Sequence, residues 1–358
     1  MEQKTQNNPT ITTSTFTGVM ELSKMGAASV PSSYILPPAY RPNLGTINDP
    51  EPHLAPIDMS LFQQPHRRPQ ILEEIRLACK ELGFFQVINH GIPPSVMSGA
   101  LDAATEFFDL PQEEKLTFAS GDVNEPVRYG TSLNQLKDKI HFWRDFIKHY
   151  SHPISKWIDA WPSNPQNYKK QMGDYTQAVY MLHKQLVEIV FESLGLGPKY
   201  IDEDIEKGSQ AMAVNCYPRC PQPDLVLGIP PHSDYGYLTI ILQSQQGLEI
   251  MDCDNRWCRI PIQKGALVIQ IGDQLEIMSN GQYRSPIHRA TVNTESNRIS
   301  IASLHSLALD RRVAPALELV NEQNPPLYRQ GSFTEFLDFL SKNDVMERRY
   351  LDTLKINL

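Results

Sequence analysis

The spacing of apolar residues is mainly helical in the first part of this chain of 358 residues and strand-like in the second, and that change constrains the fold more than any other feature. In PHRRPQILEEIRLACKELG, Ile71, Leu72, Ile75 and Leu82 recur at helical spacing and the run stops at Gly83. FFQVIN then reads as a strand, HGIPPS as a turn, and SVMSGALDAATEFFDL as a second helix halted by Pro111. NYKKQMGDYTQAVYMLHKQLVEIVFESLGLG reads as a long amphipathic helix closed by glycines. From Ala211 onward, β-branched and aromatic runs take over. Helices first and strands afterwards predict a mixed α+β chain, mainly β, built as a barrel or jelly roll with helical support on one side.

Within the strand-rich part, PPHSDYGYLTI places His232 and Asp234 two positions apart. In extended backbone such residues share a face, so both can grip one ion while Ser233 faces away. The run YLTIIL, Tyr237 to Leu242, predicts a strand continuing from that HxD. A third ligand must come from another strand, and RSPIHRATV offers His288. The polar turn VNTESN follows, and RISIASL, Arg298 to Leu304, reads as the next buried strand. Two imidazoles and one carboxylate form the set that non-haem Fe(II) oxygenases place on one face of the metal, leaving the other face open.

Arg298 and Ser300 stand ten and twelve positions past His288 and obey the same alternation, so both can point into a barrel interior. A guanidinium fork matches a carboxylate bidentately, and buried alone its charge is costly. A dianion such as 2-oxoglutarate answers both demands, one carboxylate on Arg298 and Ser300 and its keto acid end on the metal. A zinc hydrolase could use the same three ligands but has no need of the RxS pair.

Taken in order, GFFQVINHGIP, NCYPRCPQPDL, PHSDYGYLTIILQ, GDQLEIMSNGQYRSPIHRA and NRISIASL resemble the blocks of plant-type 2-oxoglutarate and Fe(II)-dependent dioxygenases. That superfamily includes flavanone 3-hydroxylase-like, anthocyanidin synthase-like and downy-mildew-resistance-type oxygenases. The resemblance runs from near Val30 to near Leu340. It implies a double-stranded β-helix with supporting N-terminal helices, and iron at the wider mouth. It also implies Fe(II), 2-oxoglutarate and O2 as reactants, with ascorbate as an optional addition. By the same resemblance Tyr217 and Asn215 lie beside the cosubstrate, although Cys216 replaces a tyrosine of the block and Arg219 a proline. Phe146, Lys148, Ala213, Leu304 and Ser306 should line the substrate pocket. Leu304 stands where flavonoid-type relatives often carry a ring, so the stacking wall is altered.

The implied reaction couples decarboxylation of 2-oxoglutarate, giving succinate and CO2, to oxidation of a small plant metabolite. A planar phenolic of flavonoid type is the first expectation; an alkaloid, an indole amine or a terpenoid lactone are rivals, and desaturation, demethylation or epimerisation fit the metal site as well as hydroxylation does. A barrel of this kind can also serve as a non-catalytic small-molecule binding protein.

The net charge of −8 speaks against a nucleic-acid partner. No apolar run is long enough to span a bilayer, and MEQKTQNNPTITTSTFTG lacks the basic start and apolar core of a secretory signal, so a cytoplasmic location is expected; a monomer is the separate expectation for its assembly. Five cysteines, an odd number, read as reduced packing thiols rather than a disulfide framework; CxxxC at Cys216 and Cys220 is a weak metal-clip pattern. The chain divides into an irregular arm (1–50), a helical and strand region (51–205), the dioxygenase core (206–310) and a C-terminal helical extension (311–358). His90 and His183 read as structural, His141, His149 and His152 as solvated loop residues, and Asp273 as a turn cap.

Overall fold

Two sheets face each other in the computed structural model, which describes residues 16–42, 55–133, 138–343 and 348–356. The first described element is a helix, α1 (Val19–Lys24), where the sequence predicts an irregular arm; residues 1–15 and 43–50 of that arm lie outside the described residues. The reason is non-local. The Val19 and Met20 amides donate to the two carboxylate oxygens of Asp145, at 2.8 and 3.0 Å, so a side chain far along the chain supplies the missing cap.

Among the next elements, those at 68–81, 84–88, 94–109 and 168–193 follow the apolar spacing of the sequence. The series begins with β1 (Ile57–Asp58), α2 (Arg68–Glu81), β2 (Phe84–Ile88), α3 (Pro94–Asp109) and α4 (Gln112–Leu116). Then come β3 (Val127–Thr131), β4 (Asp145–Tyr150), α5 (Ile154–Trp157), α6 (Tyr168–Ser193) and α7 (Asp202–Lys207). Proline opens α2 and α3 in their first turn, and Gly83 just beyond α2 has φ +73, a conformation that suits glycine.

Strands dominate afterwards: β5 (Ser209–Tyr217), β6 (Ile229–His232), β7 (Leu238–Gln243), β8 (Leu248–Met251), β9 (Trp257–Arg259) and β10 (Leu267–Ile271). Helix α8 (Asp273–Met278), strands β11 (His288–Ala290) and β12 (Arg298–Ser306), and helices α9 (Phe333–Lys342) and α10 (Tyr350–Leu354) complete the described chain. The larger sheet runs β1-β2-β10-β7-β12-β5-β4-β3 and the smaller β6-β11-β8-β9. The result is a jelly roll with helical support. No helix among the described residues is long and apolar enough to cross a membrane.

Alternation divides the large sheet into two faces. Ile147, Val214 and Ile301 join Phe107 of α3 and Tyr175 and Val179 of α6 in the main core. Each of the aliphatic and phenylalanine side chains among them, fully buried, contributes about 1.5–3 kcal/mol. Their neighbours Phe146, Asn215 and Ser300 are cross-strand partners through β4, β5 and β12 and lie on the opposite face, toward the small sheet.

Two sequence expectations need correction. The strand carrying His232 ends there, and YLTIIL belongs to the other sheet rather than continuing from the HxD. The chain crosses between sheets through Ser233 to Tyr237. Gly236 permits the crossing, because a Cβ there would stand 2.3 Å from the His305 carbonyl oxygen. His149 is not a solvated loop residue: it is fully buried on β4, its ring nitrogens 3.2 Å from the Ser151 and Tyr168 hydroxyls and its ring 4.1 Å from that of Trp161.

Candidate active site

Antiparallel pairing of β6 with β11 sets His232 directly opposite His288, with ring centres 4.1 Å apart. Asp234 lies beyond the strand end, and its direction is fixed by the backbone, since the Asp273 amide donates to the Asp234 carbonyl at 2.8 Å. Asp234 Oδ1 is 3.8 Å from Nε2 of each imidazole. One donor atom from each of the three residues lies within 4.8 Å of the others, so they could hold a single ion.

The tautomers suit that role. Nδ1 of His232 is 2.8 Å from the Pro230 carbonyl, and Nδ1 of His288 is 3.3 Å from that of Pro286. A carbonyl can only accept, so each Nδ1 carries the proton and each Nε2 keeps its lone pair for a metal. Burial, and then the neighbouring His288, lower the pKa of His232 and keep it in the neutral, ligating form.

Arg298 and Ser300 begin β12 and are both buried, on the face turned toward the small sheet. Arg298 Nε donates to the Gln245 carbonyl at 3.0 Å and Nη2 to Gln243 Oε1 at 2.8 Å. Nη1 is buried and has no partner among the described residues. Leaving a buried donor on a charged group unpaired costs upwards of about 1–3 kcal/mol, and a ligand carboxylate would remove that cost. The donor set therefore fits 2-oxoglutarate.

Tyr217 is the cross-strand partner of Arg298, and Asn215 that of Ser300. Asn215 Oδ1 accepts from Arg144 Nη1 at 3.1 Å, while Arg144 Nε and Nη2 donate to the Ser132 carbonyl at 3.2 and 2.6 Å. Arg144 also interacts with Tyr217, which places a second buried guanidinium beside this pocket. Nothing in the sequence singled Arg144 out. Its role depends on which strands pair.

A cavity of about 280 Å³ opens beside the triad. Its wall includes His232 from the small sheet, Asp234 just beyond that strand, and Lys148, Ala211, Leu304 and Ser306 from the large sheet. Phe333, Phe336 and Phe339 of α9 line it from the C-terminal side, and the Tyr235 ring lies parallel to that of Phe336 with centres 4.4 Å apart. Of the residues expected to line a substrate pocket, Lys148, Leu304 and Ser306 do. Phe146 and Ala213 do not: Phe146 stacks with Arg128 and Arg144, whose guanidinium carbons lie 4.9 and 4.5 Å from its ring centre. The α9 aromatics were missed, although the capping box Ser332–Glu335 in GSFTEFLDFL marks the start of their helix.

Asp273 does not cap a turn with its side chain. It is the first residue of α8, buried against the cavity, and its carboxylate accepts from Ser285 Oγ at 2.7 Å and Ser233 Oγ at 3.2 Å. Burial pushes its pKa up to about 7.

Comparison with known proteins agrees with this geometry. Residues 208–306 match the model of the 2OG-Fe(II) oxygenase superfamily, and residues 54–168 that of the non-haem dioxygenase in morphine synthesis N-terminal family. The chain is 46% identical over 292 residues to 2-oxoglutarate-dependent dioxygenase 21, chloroplastic, of Oryza sativa subsp. japonica, covering 81% of this chain and 87% of that protein. The chain belongs to the 2OG-Fe(II) oxygenase superfamily. Flavanone 3-dioxygenase 3 of the same plant is 44% identical, with 82% and 90% of the two chains covered. The crystal structure of JOX2 in complex with 2OG, Fe and JA superposes with a TM-score of 0.86 at 29% identity, covering 96% of this dioxygenase and 99% of that chain. The protein is thus a 2-oxoglutarate-dependent dioxygenase that uses Fe(II).

Proposed function

We propose that this dioxygenase oxidises a small, flat phenolic metabolite of flavonoid type, most simply by hydroxylation, in the cavity beneath α9. The observation that carries the reading is that one cavity joins His232 and Asp234 to an aromatic wall built from Phe333 and Phe336. The likeness to a flavanone 3-dioxygenase supports the substrate class.

In this reading His232, Asp234 and His288 hold the iron, and Arg298 and Ser300 hold the far carboxylate of 2-oxoglutarate, with Tyr217 and Asn215 beside it. Bound iron would let O2 act as the oxidant with 2-oxoglutarate as co-reductant, one oxygen atom going to succinate as CO2 leaves and the other to the substrate. What remains falls to the protein. The carbonyls of Pro230 and Pro286 hold both imidazoles in the ligating tautomer. Leu304, Ser306 and the α9 rings orient the substrate and keep water away.

The test is succinate release stimulated by a panel of flavanones, flavones and simple phenols, with His232→Ala as control. Full substrate-coupled succinate formation by that variant would remove the metal assignment, and indifference to every phenolic would remove the substrate class. The reading also makes the enzyme a cytosolic monomer whose four stretches, 1–50, 51–205, 206–310 and 311–358, act as one unit. Sorting of a fluorescent fusion into plastids, the compartment named for the rice relative, would overturn the location.

A further inference from the structure

The cavity wall carries cations where a phenolic alone requires no charge. Lys148 lines it, and its ammonium donates to the Val123 carbonyl at 3.0 Å and lies 5.0 Å from the Tyr150 ring centre. No carboxylate of the described residues forms an ion pair with it. Behind it stands Arg128, the cross-strand partner of Lys148, which is 8% exposed. Arg128 Nη2 donates to the Leu133 carbonyl at 3.1 Å, while its buried Nε has no partner among the described residues.

The carboxylates nearby are accounted for. Asp122 and Asp138 partly offset Arg128, and Asp122 and Glu125 partly offset Lys148, but none of the three lines the cavity. Of the two that do, Asp234 belongs to the triad and Asp273 is engaged with Ser233 and Ser285. Of the other cations on the wall, Arg349 pairs with Asp352 at 2.9 Å and Arg348 is exposed. Among the described residues Lys148 is thus a cavity cation with no ion-paired carboxylate, only partly offset by Asp122 and Glu125, and it is backed by a second cation with an unmet donor. Desolvating such charges without a counter-ion is unfavourable, and an anionic ligand group would relieve it.

We propose that the substrate is an aromatic acid whose carboxylate docks on Lys148, with Arg128 behind it, while its ring lies against Leu304 and the α9 phenylalanines. This rests on the reading above and narrows it from phenolics at large to those bearing an anionic group. Burial draws the Lys148 pKa down to about 8, so the ammonium persists at neutral pH and a bound carboxylate would strengthen it.

The experiment is calorimetric titration of the full chain, loaded with Mn(II) and 2-oxoglutarate in place of the reactive iron complex. The probes are 4-hydroxybenzoate, 4-hydroxyphenylacetate and 4-hydroxycinnamate, each paired with its methyl ester. At least one acid should bind about tenfold more tightly than its ester, the margin of one charge-assisted hydrogen bond. Lys148→Met should erase that margin by weakening the acid alone, and Lys148→Arg should restore most of it. The ester affinity serves as the check that each variant is folded. Equal affinities for every acid and ester, binding of neither, or a margin that survives Lys148→Met would overturn the proposal. Titration of 2-oxoglutarate itself separates the two readings: if it binds and the acids show no preference, only the anion site fails, whereas failure of 2-oxoglutarate to bind removes the cosubstrate assignment.

Discussion

Arg298 faces Tyr217 across the β5–β12 ladder, its guanidinium carbon 4.9 Å from the centre of the phenol ring. With two of its nitrogens tied to Gln245 and Gln243, the guanidinium cannot swing away, and the third is held ready for a carboxylate. Arg298→Lys keeps the charge and loses the fork. The KM for 2-oxoglutarate is expected to rise about 10- to 100-fold, with a smaller change in kcat. Steady-state kinetics that show an unchanged KM would remove Arg298 from the cosubstrate site.

Gly247 is a second route to the same group. Its φ is +151, and a Cβ there would stand 2.9 Å from Arg298 Cδ and 3.0 Å from the Thr291 carbonyl oxygen. Gly247→Ala should therefore displace the guanidinium as well as strain the backbone, at a cost of about 1–3 kcal/mol in stability. Weaker 2-oxoglutarate binding accompanied by intact phenolic binding is the expected pattern; equal loss of both would point to general unfolding instead.

Phe336 lies parallel to Tyr235, with 4° between the ring planes, at the cavity wall. Phe336→Ala should open that wall to water and lower the fraction of 2-oxoglutarate turnover coupled to product. We expect roughly 1–3 kcal/mol of lost stability by urea titration. Unchanged coupling in paired succinate and product assays would show that α9 plays no part in sealing the site.

His149 gives the fold a pH signature. Burial holds its pKa down to about 3, against about 6.5 in an unfolded chain. Between those values the unfolded chain binds a proton that the folded chain refuses, so the stability is intact above about pH 6.5 and is lost as pH falls toward 3. His183, drawn down to about 3 by the same cause, acts in the same sense. His149→Gln should flatten the dependence of unfolding free energy on pH between 4 and 6 by about 1.4 kcal/mol per pH unit. Superimposable urea-unfolding slopes for variant and parent would contradict this.

The convergence of the three candidate ligands and the shared buried face of Arg298 and Ser300 were legible because short-range spacing and the chemistry of the side chains pointed the same way. His232, Asp234 and His288 do converge, though through a strand end and a crossing rather than one continuous strand. Helices α2, α3 and α6 were readable for a similar reason, since periodicity, prolines and glycines are local signals. What escaped depends on tertiary pairing. Arg144 reaches Asn215 only because β4 lies beside β5. The α9 phenylalanines reach the cavity only because a distant helix folds back, and Phe146 left the expected pocket wall because two guanidiniums claim its ring. His149 was misread because a histidine among polar neighbours gives no hint that Trp161 will cover it.

The carboxylate that receives the Val19 and Met20 amides belongs to Asp145, wedged in sequence between Arg144 and Phe146. A shortened protein starting at residue 54, where the first family match begins, would discard both donors and strand a buried acid on the strand that supplies Lys148 to the pocket. Such a trimmed enzyme could still bind iron while misreporting which molecules it accepts, so substrate surveys are best run with residues 16–42 in place.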